Sequence, residues 1–152
     1  MRAAATTRGG VRRHTSMIGT VVLLLVLTAC AGPAGTAGDV DAAELDGAWE
    51  LASGVGPEGE IELIDDHPIT LNIAGDDWGG TAACNSYSGI VGLEGDQLAM
   101  DGFAVTEMAC MPEEVMDSEA AYLAGLRTVE TWSLRDERLV LEGPGTELVF
   151  QR

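Results

Sequence analysis

The sequence predicts an α+β fold, with a curved, mostly antiparallel sheet or partly closed barrel and one inserted helix at about residues 113–128. Two observations support this prediction. From Gly47 onward, short runs of alternating apolar residues are separated by glycines, which is typical of half-buried antiparallel strands. After Pro112, one stretch follows helical spacing instead of the two-residue period. Many strands with a single late helix favour an α+β domain.

The predicted strands follow one another along most of the chain. Alternate residues of a strand point to the same face, so each run has one apolar face. The apolar positions are Trp49 and Leu51; Ile61 and Leu63; Ile69, Leu71 and Ile73; Trp132 and Leu134; Leu139 and Leu141; and Leu148 and Phe150. Further strands are predicted at about residues 81–83, 88–93, 97–100 and 103–106. Turns or bends are predicted at Gly89, Gly92, Gly95, Gly102, Asp136 and Glu137, and at residues 143–145.

The helix is predicted from an apolar stripe between Pro112 and Thr128. The stripe consists of Met116, Ala120 and Leu123, flanked by Tyr122 and Leu126. Proline suits the first turn of a helix, and the acidic side chains of Glu113 and Glu114 lie near the positive end of the helix dipole. We therefore expect the helix to pack on the sheet and to cover one opening of the barrel.

Residues 1–29 have the composition of a secretory signal peptide. Four arginines and no acid occur in the first sixteen residues, and an uncharged run from Met17 to Leu27 follows. As a helix this run would rise only about 17 Å, too short for a bilayer core of roughly 30 Å. The residues Leu27, Thr28, Ala29 and Cys30 resemble the bacterial lipobox, in which the cysteine receives a diacylglyceryl group and becomes the new amino terminus.

Lipidation of Cys30 would place the protein outside the cytoplasm. We expect it to be anchored to the outer face of the cell membrane, or to the outer membrane if the cell has one. Residues 30–44 then form a lipidated flexible linker, rich in alanine and glycine, that holds the domain roughly 20 Å from the bilayer. Residues 45–152 form one folded domain, since a chain of this length supports a single core.

The charge of the mature chain excludes one class of partner. The chain has no lysine, and removal of residues 1–29 leaves four arginines and 25 acids, a net charge of −21. Such a surface repels phosphate groups, so we expect no binding to nucleic acid.

Two cysteines, Cys84 and Cys110, remain after Cys30. Thiols oxidise outside the cytoplasm, and a disulfide closing a loop of about 27 residues would stabilise the fold by roughly 3 to 4 kcal/mol. Two buried free thiols or a metal-binding pair are the alternatives. A metal site needs more ligands, however, and His67 has no histidine or cysteine nearby in sequence. We therefore expect no metal and no cofactor.

The sequence does not indicate an enzyme. Ser86 lacks the glycine-rich elbow of a serine hydrolase, and nothing marks His67 as its base. The acid pairs at residues 65–66 and 76–77 are expected in so acidic a chain and favour a solvated face over an acid and base dyad. The acids at positions 58, 60 and 62 would share one strand face, where they either oppose edge pairing or form a docking strip for a basic partner.

Three groups of residues together resemble a known family. They are Gly80, Cys84, Asn85, Tyr87 and Gly89; Thr106, Met108, Ala109 and Cys110; and Glu119, Tyr122, Leu123 and Leu126. In this order they resemble the motifs of the META domain, typified by the bacterial HslJ lipoproteins. The resemblance covers about residues 45–152. It implies a small α+β domain, usually exported and often a lipoprotein, with no established enzymatic activity and a loose association with envelope stress.

Asn85, Tyr87, Gly89, Thr106 and Met108 form the candidate binding or structural motif. An asparagine can bond its own backbone and tolerate a left-handed turn, a glycine permits a bend, and a tyrosine hydroxyl needs a partner. Besides this structural role, the same residues could line a small groove near the predicted disulfide.

These observations lead to two functional hypotheses. The first is a non-enzymatic envelope lipoprotein that acts by contact, as an interaction or stress-protective module at the membrane surface. It would touch membrane lipid through the acylated Cys30 and an unknown envelope protein or ligand. The alternative is a carrier of a small apolar ligand, held in a cavity between the sheet and the helix.

Overall fold

The computed structural model describes residues 42–152. The predicted signal peptide, the lipidation site at Cys30 and most of the linker lie outside the described residues. The described part begins with a 3-10 helix at Ala42–Leu45 and continues into nine strands and one α-helix. No helix in residues 42–152 is long and apolar enough to cross a membrane.

The strands and the helix have the following bounds. The strands are β1 Gly47–Gly56, β2 Gly59–Glu60, β3 Thr70–Ala74, β4 Asp77–Ala82, β5 Asn85–Glu94, β6 Gln97–Val105, β7 Thr131–Arg135, β8 Arg138–Gly143 and β9 Thr146–Gln151, and helix α1 spans Glu113–Leu126. The order in the sheet is β2-β1-β3-β4-β5-β6-β7-β8-β9, and neighbouring strands in this order pair antiparallel.

The sheet closes into a barrel because its first long strand also pairs with its last. Leu51 of β1 lies opposite Phe150 of β9 in an antiparallel ladder. Eight strands therefore form a closed antiparallel barrel. The two-residue strand β2 is not part of this ring and pairs only with the end of β1. The seam between β6 and β7 is thin, since only Gln97 and Thr131 are paired there. The predicted α+β class, with a barrel and one helix, is confirmed.

Large side chains fill the interior of the barrel. Trp78, Tyr122 and Phe150 are among the largest fully buried residues. The ring of Tyr122 on the helix meets that of Phe150 edge-on at 6.5 Å, which joins the helix to the sheet. Leu45 of the 3-10 helix is also fully buried, and its carbonyl accepts a hydrogen bond of 2.8 Å from the Trp49 indole. Leu45 therefore joins the 3-10 helix to the packed core.

Two strand predictions need correction. The predicted strand with Ile61 and Leu63 on one face does not form, because β2 stops at Glu60 and the chain reverses through a bridge between Ile64 and His67. Ile61 is buried, but Leu63 is 42% exposed. The strand predicted at residues 81–83 begins earlier, as β4, and ends before Ala83, which turns the chain with a φ of 65°.

The strands predicted at residues 97–100 and 103–106 are one continuous strand. Gly102, with a φ of 61°, does not end β6 but allows a bulge, where the register with β5 shifts between Ser88 and Ile90. The two-residue turn at Asp136 and Glu137 is found as predicted, with φ values of 51° and 61°. Left-handed residues at both positions match the twist of a hairpin.

The helix ends at Leu126 rather than at Thr128, whose backbone N–H bonds the Gly125 carbonyl in a closing turn. Its buried face is also rotated from the predicted stripe. Ala120 is exposed and Met116 is only half-buried. The buried positions are Val115, Ser118, Glu119, Tyr122, Leu123, Gly125 and Leu126. The rotation arises because two polar residues of the helix are buried and hydrogen-bonded.

Candidate functional site

The disulfide predicted between Cys84 and Cys110 is present, with an S–S distance of 2.02 Å. It joins the turn after β4 to the segment between β6 and α1. That segment, residues 106–112, also contains Met108 and Met111, which are 56% and 81% exposed. The disulfide therefore fixes a loop with exposed thioethers against the end of the barrel.

Asn85 is the centre of the hydrogen bonds that hold this loop. Its side-chain oxygen accepts bonds from the Met108 backbone N–H at 2.7 Å and from the Thr106 hydroxyl at 2.9 Å. Its side-chain nitrogen donates to the Met108 carbonyl at 3.0 Å and to Glu119 at 2.8 Å. Asn85 is only 2% exposed, so these bonds replace all its contacts with water. The expected bond to its own backbone is not made, since the side chain crosses to the loop instead.

Glu119 supports the same network from the helix. One carboxylate oxygen accepts the backbone N–H of Asn85 at 2.5 Å and that of Cys84 at 3.2 Å, and the other accepts the Asn85 side chain. The residue is 6% exposed. A buried carboxylate with no neighbouring cation destabilises a fold unless hydrogen-bond donors surround it. Three N–H groups bond the Glu119 carboxylate. Glu119 thus acts as a clamp between the helix and the turn after β4.

Tyr87, on β5, is buried inside the barrel. Its hydroxyl donates to the Thr70 carbonyl at 2.8 Å and therefore accepts the hydroxyl of Tyr122 at 2.6 Å. Burial raises the pKa of Tyr87 well above its usual range, although the bond from Tyr122 opposes the shift. Burial also raises the pKa of Tyr122, with a further rise from its neighbour Tyr87. Both phenols stay neutral across the physiological range, which makes this a structural pair.

Gly80 lies where two strands approach closely. A Cβ atom at this position would lie 2.0 Å from the Thr70 carbonyl oxygen on β3. Gly89, by contrast, lies at the bulge where β5 and β6 change register. The glycines of the motif therefore have packing roles at the barrel wall and lie away from the disulfide loop.

An open groove of about 410 Å³ lies beside the network, between the disulfide loop and α1. It is lined by Asn85, Val105, Thr106, Glu107, Met108, Ala109, Met116, Glu119, Leu123 and Arg127. We call it the loop–helix groove. Arg127 is its one cationic lining residue, and the guanidinium lies 4.6 Å from the centre of the Phe103 ring and donates to the Leu123 carbonyl.

The loop–helix groove brings together three of the five candidate residues. Asn85, Thr106 and Met108 line it, whereas Tyr87 is in the core and Gly89 is at the barrel wall. The sequence pattern did not mark Glu119 as a site residue, because one acid among 25 gives no signal of burial. The one available signal was its place among the residues that resemble a family motif.

The acids at positions 58, 60 and 62 lie beside a different surface. With Glu114 and Asp117 they line an open cleft of about 230 Å³ between β2 and the first turns of α1. Of the three, only Glu60 lies in a strand, so they do not form the predicted strand face. The cleft is strongly acidic but contains no side chain that marks it for a particular ligand.

Comparisons with solved structures agree with this fold. A protein from Burkholderia xenovorans, solved by NMR, is similar with a TM-score of 0.59 and 26% identity, over 70% of this chain and 81% of that one. A second NMR structure is similar with a TM-score of 0.54 and 19% identity, over 69% of this chain and 87% of that one, and this likeness concerns the fold alone. No curated protein matches the sequence.

The comparison with protein families covers the whole described part. The META domain model matches residues 42–152, which include the 3-10 helix, every strand and α1. The match extends over more than half of the chain and includes the network around Asn85 and Glu119. The chain therefore belongs to the META domain family.

Proposed function

We propose that this protein is a non-enzymatic lipoprotein of the cell envelope whose META domain acts by contact, as an interaction or stress-protective module at the membrane surface. The lipobox-like residues ending in Cys30 support the lipid anchor. The loop–helix groove supports the contact role. Its partner would be an envelope protein or ligand.

The observation that carries the contact role is the difference between the buried and the exposed parts of the site. Asn85 and Glu119 are fully occupied by internal hydrogen bonds, so they hold the loop rather than act on a substrate. Met108, whose backbone is held by Asn85, leaves 56% of its surface exposed. A fixed backbone that presents a flexible, polarisable side chain suits recognition of another apolar surface.

The carrier hypothesis receives no support from the core. The core of the domain contains Trp78, Tyr87, Tyr122 and Phe150, all buried. Three of these rings also contact one another, with Tyr122 at 5.7 Å from Tyr87 and at 6.5 Å from Phe150. A ligand would have to displace close-packed aromatic side chains, which is costly.

Site-specific crosslinking in intact cells tests the contact role. A photoreactive residue at Met108, which lines the groove, should give a discrete crosslinked product. The matched control is Met111, which lies in the same loop, is more exposed and does not line the groove. Equal products from both positions would show that exposure alone determines the crosslinks, and the groove would then have no special role.

The anchor is tested separately. Cys30→Ser should abolish incorporation of radiolabelled fatty acid and should release the protein from the membrane fraction. The matched control is Thr28→Ser, which keeps the cysteine and the small residue before it. If the Cys30 variant still fractionates with membranes and is processed normally, the lipoprotein proposal is wrong, whatever the groove does.

A further inference from the structure

We propose that the open edge of β6 receives an extended, basic segment of another polypeptide, which adds a strand to the barrel and places an apolar side chain in the loop–helix groove. The inference deepens the proposed contact role of the groove and rests on it. It specifies the partner's conformation and charge.

The barrel wall is incomplete along β6. In residues 42–152, β6 pairs with β7 only at Gln97 and Thr131. Two further backbone bonds close the seam there, from Leu98 to the Glu130 carbonyl and from Trp132 to the Asp96 carbonyl. Beyond Leu98 no backbone hydrogen bond joins β6 to another described residue on this side.

The direction of the unpaired groups follows from strand alternation. Leu98 points its N–H toward β7, so the backbone groups of Met100, two residues on, point the same way. These groups have no partner among the described residues. An unpaired strand edge is a template on which an extended peptide can add by main-chain hydrogen bonds.

The edge leads directly into the loop–helix groove. Met100, Phe103 and Val105 are half-buried, and Val105 also lines the groove with Met108 and Leu123. A strand added beside β6 would direct alternate side chains to this same face. One of its apolar side chains would then contact the exposed thioether of Met108, while its backbone bonds to β6.

Charge selects the partner. Three exposed acids, Asp101, Glu107 and Glu130, lie along β6 or at its ends, and the mature chain would carry a net charge of −21. A basic residue opposite Asp101 would form a favourable cross-strand pair. A second copy of this chain is disfavoured, since it would bring two strongly acidic surfaces together and pair acids across the edge.

Arg127 lies against a side chain of β6 in the free protein. Its guanidinium lies over the Phe103 ring and donates one bond to the Leu123 carbonyl, and it has no carboxylate partner within 4.0 Å among the described residues. An incoming strand must move this side chain, and its positive charge repels a basic segment. Arg127→Ala should therefore tighten binding, which is the opposite of what loss of an ordinary contact residue would do.

The test uses the full chain and synthetic octapeptides that alternate lysine with leucine. Two further peptides carry the same side chains but are N-methylated at all lysines or at all leucines. In an added strand, the backbone N–H groups of either the lysines or the leucines point toward β6, and those of the other set point away. One methylated peptide should therefore bind about tenfold more weakly, and the other should bind as the parent does. Hydrogen exchange at residues 97–105 should slow when the parent peptide is added.

Two substitutions complete the test. Asp101→Asn should weaken binding of the parent peptide, whereas Asp136→Asn, which removes the same charge at the β7–β8 turn, should not. If all three peptides bind equally, attraction is only to the acidic surface and the inference is wrong. If exchange slows without peptide as protein concentration rises, a second copy occupies the edge and the inference is also wrong. If Met108 forms a crosslink to a partner but hydrogen exchange in β6 is not slowed, strand addition is wrong and the proposed contact role remains.

Discussion

Replacing Glu119 with glutamine should destabilise the domain far more than loss of a surface charge does. The carboxylate accepts three N–H groups: the backbone groups of Cys84 and Asn85 on one oxygen, and the Asn85 side chain on the other. A glutamine has one acceptor oxygen. If that oxygen serves the two backbone groups, its NH2 group faces the NH2 group of Asn85, and the third bond is replaced by a contact between two donors.

The size of the effect follows from these contacts. A buried donor left without a partner costs about 1 to 3 kcal/mol, and the two remaining bonds lose the extra strength that a charged acceptor gives. Together these changes amount to about 3 to 4 kcal/mol, a large fraction of the 5 to 15 kcal/mol that typically stabilises a domain. Urea unfolding followed by tryptophan fluorescence should show a lower midpoint with an unchanged slope.

The matched control for Glu119→Gln is Asp117→Asn. Asp117 lies on the same helix, is exposed and loses the same charge, so its free energy of unfolding should change by no more than about 0.5 kcal/mol. If the two variants unfold at the same urea concentration, Glu119 does not clamp the helix to the turn after β4, and the description of the network is wrong.

Three further predictions concern stability. Above about pH 10 the free energy of unfolding should fall by up to about 1.4 kcal/mol per pH unit for each of the two tyrosines, because their pKa values are raised in the folded protein and the unfolded chain loses its protons first. Tyr87→Phe should roughly halve this slope, as measured by urea unfolding across pH. Reduction of the disulfide, or joint replacement of Cys84 and Cys110 by alanine, should lower that free energy by about 3 to 4 kcal/mol, and an unchanged midpoint would contradict the model of loop closure. Gly80→Ala should lower the melting temperature sharply, since its Cβ meets a carbonyl at 2.0 Å, while Gly92→Ala, with nothing within 4 Å, should change it little.

Local patterns predicted the strands whose two faces differ. Ile69, Leu71 and Ile73 alternate with polar residues, and all three are buried, at 2%, 0% and 4% exposure. Asp136 and Glu137 predicted a turn, and both take the left-handed conformation. These features depend on neighbours within a few residues, so the sequence carries the necessary information by itself.

Features set by distant partners were missed. A turn or bend was predicted at Gly102, between two separate strands, but pairing with β5 continues past it through a bulge within one strand. Nothing near position 119 in the sequence indicates that Glu119 is buried, because the N–H donors that it binds lie 34 and 35 residues earlier. Met108 was singled out as part of a motif, but its place beside Arg127 depends on how the loop and the helix come together.

The ladder between β1 and β9 links the order of synthesis to the time of folding. Residues 47–56 are synthesised well before their partners at residues 146–151. The ring cannot close until both strands are present, and pairing between such remote segments is slow. Until β9 has been synthesised, β1 therefore lacks the partner that closes the barrel.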